Sequence, residues 1–103
     1  MAEIKYNQTK EAVRSSYEDA WRALRGIKMY GSMFAIARAT PSTTAVQMDT
    51  IVKALAASRE SFERELGLLT DHLAELSKLD SIKYHTDIYY DGATGLPKSI
   101  EIV

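Results

Sequence analysis

The 103-residue chain contains no cysteine, which excludes disulfide frameworks, thiolate catalysis and cysteine-ligated zinc. Long apolar runs are absent as well. The apolar stretch 29–37 is far shorter than the roughly 20 residues of a membrane-spanning helix, and residues 1–10 lack the apolar segment of a signal peptide. We therefore expect a soluble protein with neither a signal peptide nor a transmembrane segment, located in the cytoplasm or elsewhere inside a cell, or within a virus particle.

A strong excess of charge of one sign is also missing. The formal net charge is −1, which gives no overall attraction to nucleic acids or acidic membranes. The charges are unevenly placed, because residues 1–40 carry seven Lys or Arg and four Asp or Glu, whereas residues 41–80 carry four and seven. This pattern favours compensation between two segments that pack together over a basic stripe for an external polyanion.

Proline occurs only twice, and Pro41 separates two long series of regularly spaced positions. The first series comprises Val13, Tyr17, Ala20, Leu24, Ile27, Gly31 and Phe34. The second comprises Ala45, Met48, Val52, Leu55, Arg59, Phe62, Leu66, Leu69, Leu73 and Leu76. Alternating spacings of three and four are typical of helices that pack as a coiled coil. The sequence predicts an antiparallel helical hairpin over about 9–39 and 43–79.

Local signals mark the connection and the weak points of these helices. Pro41 disfavours helix at the residue before it, and Thr44 with Gln47 has the spacing of a capping box. Gly26 and Gly31 each cost about 1 kcal/mol relative to alanine in a helix. We expect helix one to continue through both glycines, because the apolar spacing does not change across them, with a break near 26–31 as the alternative.

Both ends of the chain have strand-like patterns. Residues 3–6 alternate polar and apolar, which permits a short strand in an N-terminal arm over 1–8. From residue 82 the period changes to two, turn-forming residues occupy 91–95, and alternation resumes at residue 98. This predicts a β-hairpin over about 82–90 and 98–103, at the end of the helices opposite the Pro41 loop, with residues 3–6 placed to add a third strand. The predicted fold is a single α+β domain over 1–103, predominantly helical.

Residues with catalytic or metal-binding chemistry are few. The two histidines, His72 and His85, lack the Glu-x-x-His or His-x-x-x-His spacing of metal sites in helical bundles. The segment 91–95 lacks the carboxylates of a calcium loop and the Gly-Lys-Ser/Thr of a phosphate loop, so we interpret it as a hairpin turn. We expect no enzymatic activity, no cofactor, no bound metal and no small-molecule substrate.

The loop end of the helical hairpin, here called the tip, is apolar on more sides than one partner helix can cover. Its apolar residues are Met29, Tyr30, Met33, Phe34, Ile36, Val46, Met48 and Ile51. The methionines give this surface the adaptable character of many partner-binding sites. We predict that these residues contact a second copy or another protein. A compact local core formed by a broken helix one is the alternative.

Two further features bear on association. Arg59 is the charged residue in the middle of the second series, and a polar residue in a helical seam often fixes register or oligomeric state. We predict that role for Arg59. The last strand, with Ile100, Ile102 and Val103, is predicted to leave an exposed edge that another subunit can extend.

These features favour a non-enzymatic protein that self-associates as a dimer or larger oligomer. It would act as a structural, assembly or adaptor protein of a multi-protein complex or a virion. The first alternative is a small inhibitor or regulator that docks its apolar tip on a target protein. The second is nucleic-acid binding along the basic first helix, although Glu18 and Asp19 interrupt its positive charges.

Overall fold

Two long helices and a hairpin of two strands make up residues 2–103, the part of the chain that the computed structural model describes. The elements are α1 (Ala2–Ala39), α2 (Ala45–Asp80), β1 (Thr86–Tyr90) and β2 (Pro97–Ile102). The molecule measures 61 × 23 × 13 Å with a radius of gyration of 17.3 Å, against about 13 Å for a compact domain of 100 residues. The predicted α+β fold, predominantly helical with a C-terminal β-hairpin, is confirmed.

Helix α1 runs without interruption through Gly26 and Gly31, and each glycine lies where another element comes close. A β-carbon at Gly26 would lie 3.1 Å from the hydroxyl oxygen of Ser58 on α2. A β-carbon at Gly31 would lie 2.7 Å from a methyl carbon of Leu96 in the β-hairpin. The two glycines therefore make room for neighbouring elements, and the predicted break near 26–31 does not occur.

The N-terminal residues belong to α1, which corrects the prediction of a strand over 3–6. Alternation over four residues is too short to distinguish a strand from a helix, and here long-range packing decides. The ring of Tyr6 packs against the core, and Lys5 Nζ lies 3.0 Å from Glu75 Oε1 on α2. Among residues 2–103 the sheet therefore has two strands only.

The buried residues of α1 recur at intervals of eleven as well as seven. The pairs eleven residues apart are Thr9 and Ala20, Val13 and Leu24, and Ser16 and Ile27, and the pairs seven apart are Thr9 and Ser16, Val13 and Ala20, and Ala20 and Ile27. Eleven residues complete three turns at about 3.67 residues per turn, close to the 3.6 of a straight α-helix, whereas a seven-residue repeat imposes a left-handed supercoil. On α2 the buried residues Phe62, Leu69, Leu73 and Leu76 keep the heptad spacing predicted from the sequence, so the eleven-residue spacing marks a local shift of phase in α1 and not the period of the whole seam.

The connection between the helices follows the local sequence signals. Helix α1 ends at Ala39 and α2 begins at Ala45, with Thr44 as the N-cap. The Gln47 N–H donates to Thr44 Oγ1 at 3.1 Å, and the Thr44 N–H donates to Gln47 Oε1 at 2.9 Å. Both bonds of the predicted capping box are present, so two of the unpaired N–H groups at the start of α2 gain partners.

Tyr84 ties the segment after α2 to the last turn of that helix. Ser81 ends α2 in the left-handed conformation, at φ 57°. The backbone N–H of Tyr84 donates to Ser77 Oγ at 3.0 Å, and its hydroxyl donates to the Asp80 carboxylate. Because this N–H is bound to the helix end, strand pairing begins later than the predicted start at residue 82.

Strands β1 and β2 are antiparallel, with Ile88 opposite Ile100. The turn between them is formed by the predicted segment 91–95. Asp91 Oδ1 accepts the N–H of Ala93 at 2.8 Å, and the Asp91 carbonyl accepts the N–H of Gly95 at 2.7 Å. Gly95 has φ +72°, a conformation that glycine adopts without steric cost. The interpretation of this segment as a hairpin turn is confirmed.

The hairpin lies lengthwise along α1, which corrects the prediction that it sits at the end opposite the tip. The Tyr17 hydroxyl donates to the carbonyl of Ile100 at 3.1 Å, while Leu96 lies against Gly31, about four helical turns further toward the tip. Ile100 is fully buried in one cluster with Leu24 and other seam residues. Two strands alone are marginal in water, and this packing stabilises them.

The glycines of the two helices provide a stability test. Gly67 on α2 is exposed, and a β-carbon there would meet no atom within 4 Å. We expect Gly67→Ala to raise the free energy of unfolding by about 0.5–1 kcal/mol, because alanine favours the helix and nothing has to move. Gly31→Ala is the matched comparison, since Leu96 must shift there. Equal stabilisation by both substitutions in urea titrations would contradict the close packing at Gly31.

Tyr84 predicts a dependence of stability on alkaline pH. The hydrogen bond to the Asp80 carboxylate raises the Tyr84 pKa above its ordinary 10.0. The folded state thus holds this proton more tightly than the unfolded state, so the stabilisation is complete below pH 10 and is lost as the pH rises through the folded pKa. We expect Asp80→Asn to lower the pH at which Tyr84 loses its phenolic proton. This titration is followed by ultraviolet absorbance, as the difference between a protein that has Tyr84 and the matched protein with Tyr84→Phe. An unchanged transition would exclude Asp80 as the cause.

Candidate interaction surfaces

The tip carries exposed apolar side chains. Four of the eight residues predicted to contact a partner are exposed: Met29 (52%), Met33 (43%), Ile36 (67%) and Val46 (77%). The other four, Tyr30, Phe34, Met48 and Ile51, are half-buried. Because α1 is continuous, no local core forms from a broken helix to cover these side chains. The surface comprising Met29, Met33, Ile36, Val46 and Ile51 is called the tip surface below.

A groove of about 670 Å³ runs between α1 and α2 at this end of the molecule. Its apolar walls include Met33 and Ile36 from α1 and Val46 and Ile51 from α2, with the buried Ala37 also in contact. The residues that line it come from the two helices and their connection, and none comes from the β-hairpin. The groove is therefore open to an external apolar group.

A second groove, of about 640 Å³, borders the β-hairpin. Phe34 and Leu55 line it from the helices, and Leu96 lines it from the hairpin turn. The turn therefore shields part of the apolar surface of the helices, including the side chain of Phe34. None of the residues of the tip surface lines this second groove.

Arg59 lies exposed, outside the seam in which the sequence series had placed it. The half-buried Ser58 occupies the position opposite Gly26 instead. The inward position shifts by one residue here, because four residues instead of three separate it from the buried Phe62. The exposure of Arg59 removes the reason for assigning it a role in fixing register.

A hydrogen bond between Ser16 and His72 crosses the seam. Ser16 is buried, His72 is half-buried, and Ser16 Oγ lies 2.8 Å from His72 Nδ1. Sliding one helix past the other by a turn would leave these polar groups unpaired in an apolar environment, at a cost of roughly 1–3 kcal/mol. This pair is thus placed to fix the register of α1 against α2.

This pair was not predicted, because the sequence pattern around His72 was considered only for a possible metal ligand and Ser16 was not considered. A signal was nevertheless available. In a hairpin that turns at residues 40–44, positions at similar distances from the turn lie opposite each other, and Ser16 and His72 are 24 and 28 residues from its ends. A search for polar groups near the seam at matching distances would have identified them.

Among residues 2–103, ion pairs within one helix outnumber those between the helices, where compensation was predicted. One of the pairs within a helix joins Lys53 and Asp49 of α2, at 2.9 Å. Arg14 pairs with Glu11 and Arg22 pairs with Asp19, each at 2.9 Å. The ion pair near the N-terminus of α1, described above, joins the two helices. Since two arginines of the basic helix have carboxylates beside them, α1 does not present an uninterrupted positive stripe for a nucleic-acid backbone.

The residues predicted to form an open strand edge are placed differently. Ile100 is buried and its carbonyl accepts a hydrogen bond from Tyr17. Val103 exchanges backbone hydrogen bonds with His85, at 3.1 and 2.8 Å. Ile102 is 36% exposed. The edge of the last strand is therefore partly occupied by α1.

Side chains that bind metal ions do not cluster in the described part of the chain. Residues 2–103 contain no group of three or more His, Asp or Glu placed to hold a metal ion. Every buried side-chain polar atom among them has a hydrogen-bond partner. Neither described helix has a segment of sufficient length and apolarity to cross a membrane. The distinctive surfaces of the structure are apolar.

The Ser16–His72 bond can be tested by a double-mutant cycle. We expect Ser16→Ala and His72→Ala to be coupled by about 1 kcal/mol in the free energy of unfolding, the typical net contribution of such a bond. Urea titrations of the single and double variants give the coupling. Ser15→Ala is the matched control, because Ser15 is exposed on the same helix. Additive effects, or equal effects at Ser15 and Ser16, would show that the bond does not contribute.

No family model, curated protein or solved structure matches this chain. A function therefore has to be argued from the contacts, burial and charges of the chain itself.

Proposed function

We propose that this chain is a non-enzymatic assembly or adaptor protein that associates with further copies of itself through the tip surface. The observation that carries the proposal is the exposure of Met29, Met33, Ile36 and Val46 at one end of the helical pair. Fully burying a side chain of this size contributes roughly 1.5–3 kcal/mol. Several such side chains together supply free energy of the magnitude that association requires.

The lack of charge at the tip supports a second copy as the partner. Residues 39–48 include no Asp, Glu, Lys or Arg, so the connection offers a charged target nothing to pair with. A second copy brings the same uncharged apolar surface. In a two-fold arrangement each copy offers a groove and protruding side chains, Ile36 and Val46, that can enter the groove of the other. Methionine side chains such as Met33 adapt to the remaining gaps.

Docking on an unrelated target protein, the inhibitor alternative, would use the same surface. The two functions differ in stoichiometry, because an inhibitor of another protein has no need to associate with itself. The mass of the purified chain in solution therefore separates them.

We expect the purified chain to be a dimer or larger species at micromolar concentration in light scattering. Met33→Glu should shift it to smaller species, because the new carboxylate would lose hydration inside an apolar contact. Helicity measured by circular dichroism should remain, since Met33 is 43% exposed in the single chain. Leu68→Glu is the matched control, because Leu68 on α2 is similarly exposed, at 46%, and lies far from the tip in sequence.

Two results would contradict the proposal. A chain that stays monomeric throughout the concentration range would exclude self-association and favour the inhibitor function. Equal loss of association in Met33→Glu and Leu68→Glu would show that a general apolar effect, and not the tip surface, holds the copies together.

A further inference from the structure

The outer edge of β1 has unpaired backbone groups. His85 and Val103 exchange both of their backbone hydrogen bonds, and bonded pairs alternate along an antiparallel ladder. The N–H and C=O groups of residues 85, 87 and 89 therefore point toward β2. Those of Thr86, Ile88 and Tyr90 point away from it, and within residues 2–103 no hydrogen bond engages them.

A β-bulge does not disturb this pattern on β1. The register shifts between Tyr89 and Tyr90, where Tyr89 lies opposite Ser99 and Tyr90 lies opposite Pro97. The additional residue is thus on β2. The N–H of Asp91, the next residue of the chain, donates to the Leu96 carbonyl at 2.9 Å. The backbone groups of Asp91 therefore point toward β2, so those of Tyr90 point away from it, as those of Ile88 do.

The edge of β2, in contrast, is protected. Its outward-pointing Ile100 carbonyl accepts the Tyr17 hydroxyl. Pro97 has no N–H to offer to another strand, and Lys98 places a charge beside it. Proline, lysine and a covering element are the devices by which proteins block sheet edges. Strand β1 has no proline or lysine between Thr86 and Tyr90, and it lacks contacts with the helices comparable to those between α1 and β2.

We propose that β1 pairs antiparallel with β1 of a second copy, centred on Ile88, to form a four-stranded sheet in the order β2, β1, β1, β2. The inference rests on the self-association proposed above but uses a different surface. The outward groups of Thr86, Ile88 and Tyr90 meet those of the partner's Tyr90, Ile88 and Thr86, and each pair exchanges two hydrogen bonds. Both ends of this sheet are protected β2 edges, so growth by strand pairing stops at two copies.

Repulsion between carboxylates favours this register over the two registers that differ from it by two residues. With Ile88 at the centre, Asp87 lies opposite the partner's Tyr89. Sliding the strands by two residues in one direction places Asp87 opposite the partner's Asp87, and in the other direction opposite the partner's Asp91. Like charges directly opposite each other on a sheet are destabilising. The register centred on Ile88 is the one of these three that keeps the carboxylates apart.

The side chains that meet in this register are complementary. The Tyr89 hydroxyl, which donates to Glu101 of its own chain at 3.4 Å, can donate to the partner's Asp87 carboxylate instead. His85 lies opposite the partner's Asp91, which is an opposite-charge pair whenever the histidine is protonated. On the other face Tyr90, whose side chain is 60% exposed, lies opposite the partner's Thr86. Aromatic and β-branched residues form favourable cross-strand pairs.

The first experiment tests the register by disulfide cross-linking. Because the chain has no cysteine, each introduced cysteine is the single thiol of its variant. Asp87→Cys and Tyr89→Cys proteins are prepared separately, mixed in equal amounts and oxidised. Opposite residues of a non-hydrogen-bonded pair have Cα atoms about 4.5 Å apart, within the range of a disulfide. We expect the mixed disulfide, identified by mass spectrometry, to exceed the half of all products that random pairing gives. Gly67→Cys, on exposed helix, is the control that should not cross-link.

The second experiment removes the backbone donor. Tyr90→Pro deletes an outward N–H without altering the bonds to β2, and Tyr90→Val removes the ring but keeps the N–H. We expect Tyr90→Pro to raise the dissociation constant of the strand-paired dimer by about tenfold or more, since two inter-strand bonds are lost. Tyr90→Val should have a smaller effect. Circular dichroism and urea titration establish that both variants fold.

The outcomes separate this inference from the tip surface. If Tyr90→Pro reduces the size of the assembly and Met33→Glu does not, strand pairing holds and the tip proposal fails. If only Met33→Glu reduces it, the tip proposal holds and strand pairing is overturned. Predominant Asp87→Cys homodimers would overturn the register. A monomeric wild-type chain without cross-links would overturn both proposals and leave the β1 edge to a strand of another protein.

Discussion

The whole structure depends on one constraint, which is that each long helix has only a narrow apolar stripe to bury. A helix of this type is unstable alone and is stabilised by packing against the apolar stripe of the other helix. Close approach at Gly26 and Ser58 brings the two stripes together, and the Ser16–His72 bond aligns them. The resulting layer is thin, since the molecule is only 13 Å across in its smallest dimension. Large parts of both helices therefore remain at the surface.

The elements that the sequence predicted correctly are those specified by local chemistry. Thr44 and Gln47 form a capping box because their spacing allows each to bond the backbone of the other. Gly95 permits the left-handed conformation that the hairpin turn uses. The two long apolar series likewise required two helices, whatever their exact period. The exposed residues of the tip also follow from the sequence, because Met33 and Ile36 lie outside the predicted apolar series of α1.

The features that could not be predicted depend on contacts between distant residues. Tyr6 is helical because it packs on a core to which α1 and α2 contribute equally, which a four-residue pattern cannot indicate. Arg59 lies outside the seam because the half-buried Ser58 takes the inward position opposite Gly26, a shift of one residue that the apolar spacing of α2 does not indicate. The position of the β-hairpin depends on the hydrogen bond between Tyr17 and Ile100, which are 83 residues apart.

The contact between Tyr17 and Ile100 also affects the order in which the elements fold. The helical pair closes a loop of a few residues and can form early, whereas docking of the hairpin must bring together segments far apart along the chain, at a higher entropic cost. Contacts of this kind form late and are the first to open in local unfolding. The sheet is thus the separable part of the molecule, while the helical pair is its permanent frame. Opening of the hairpin would uncover Ile100 and the part of the core that it covers, while the helices stay paired.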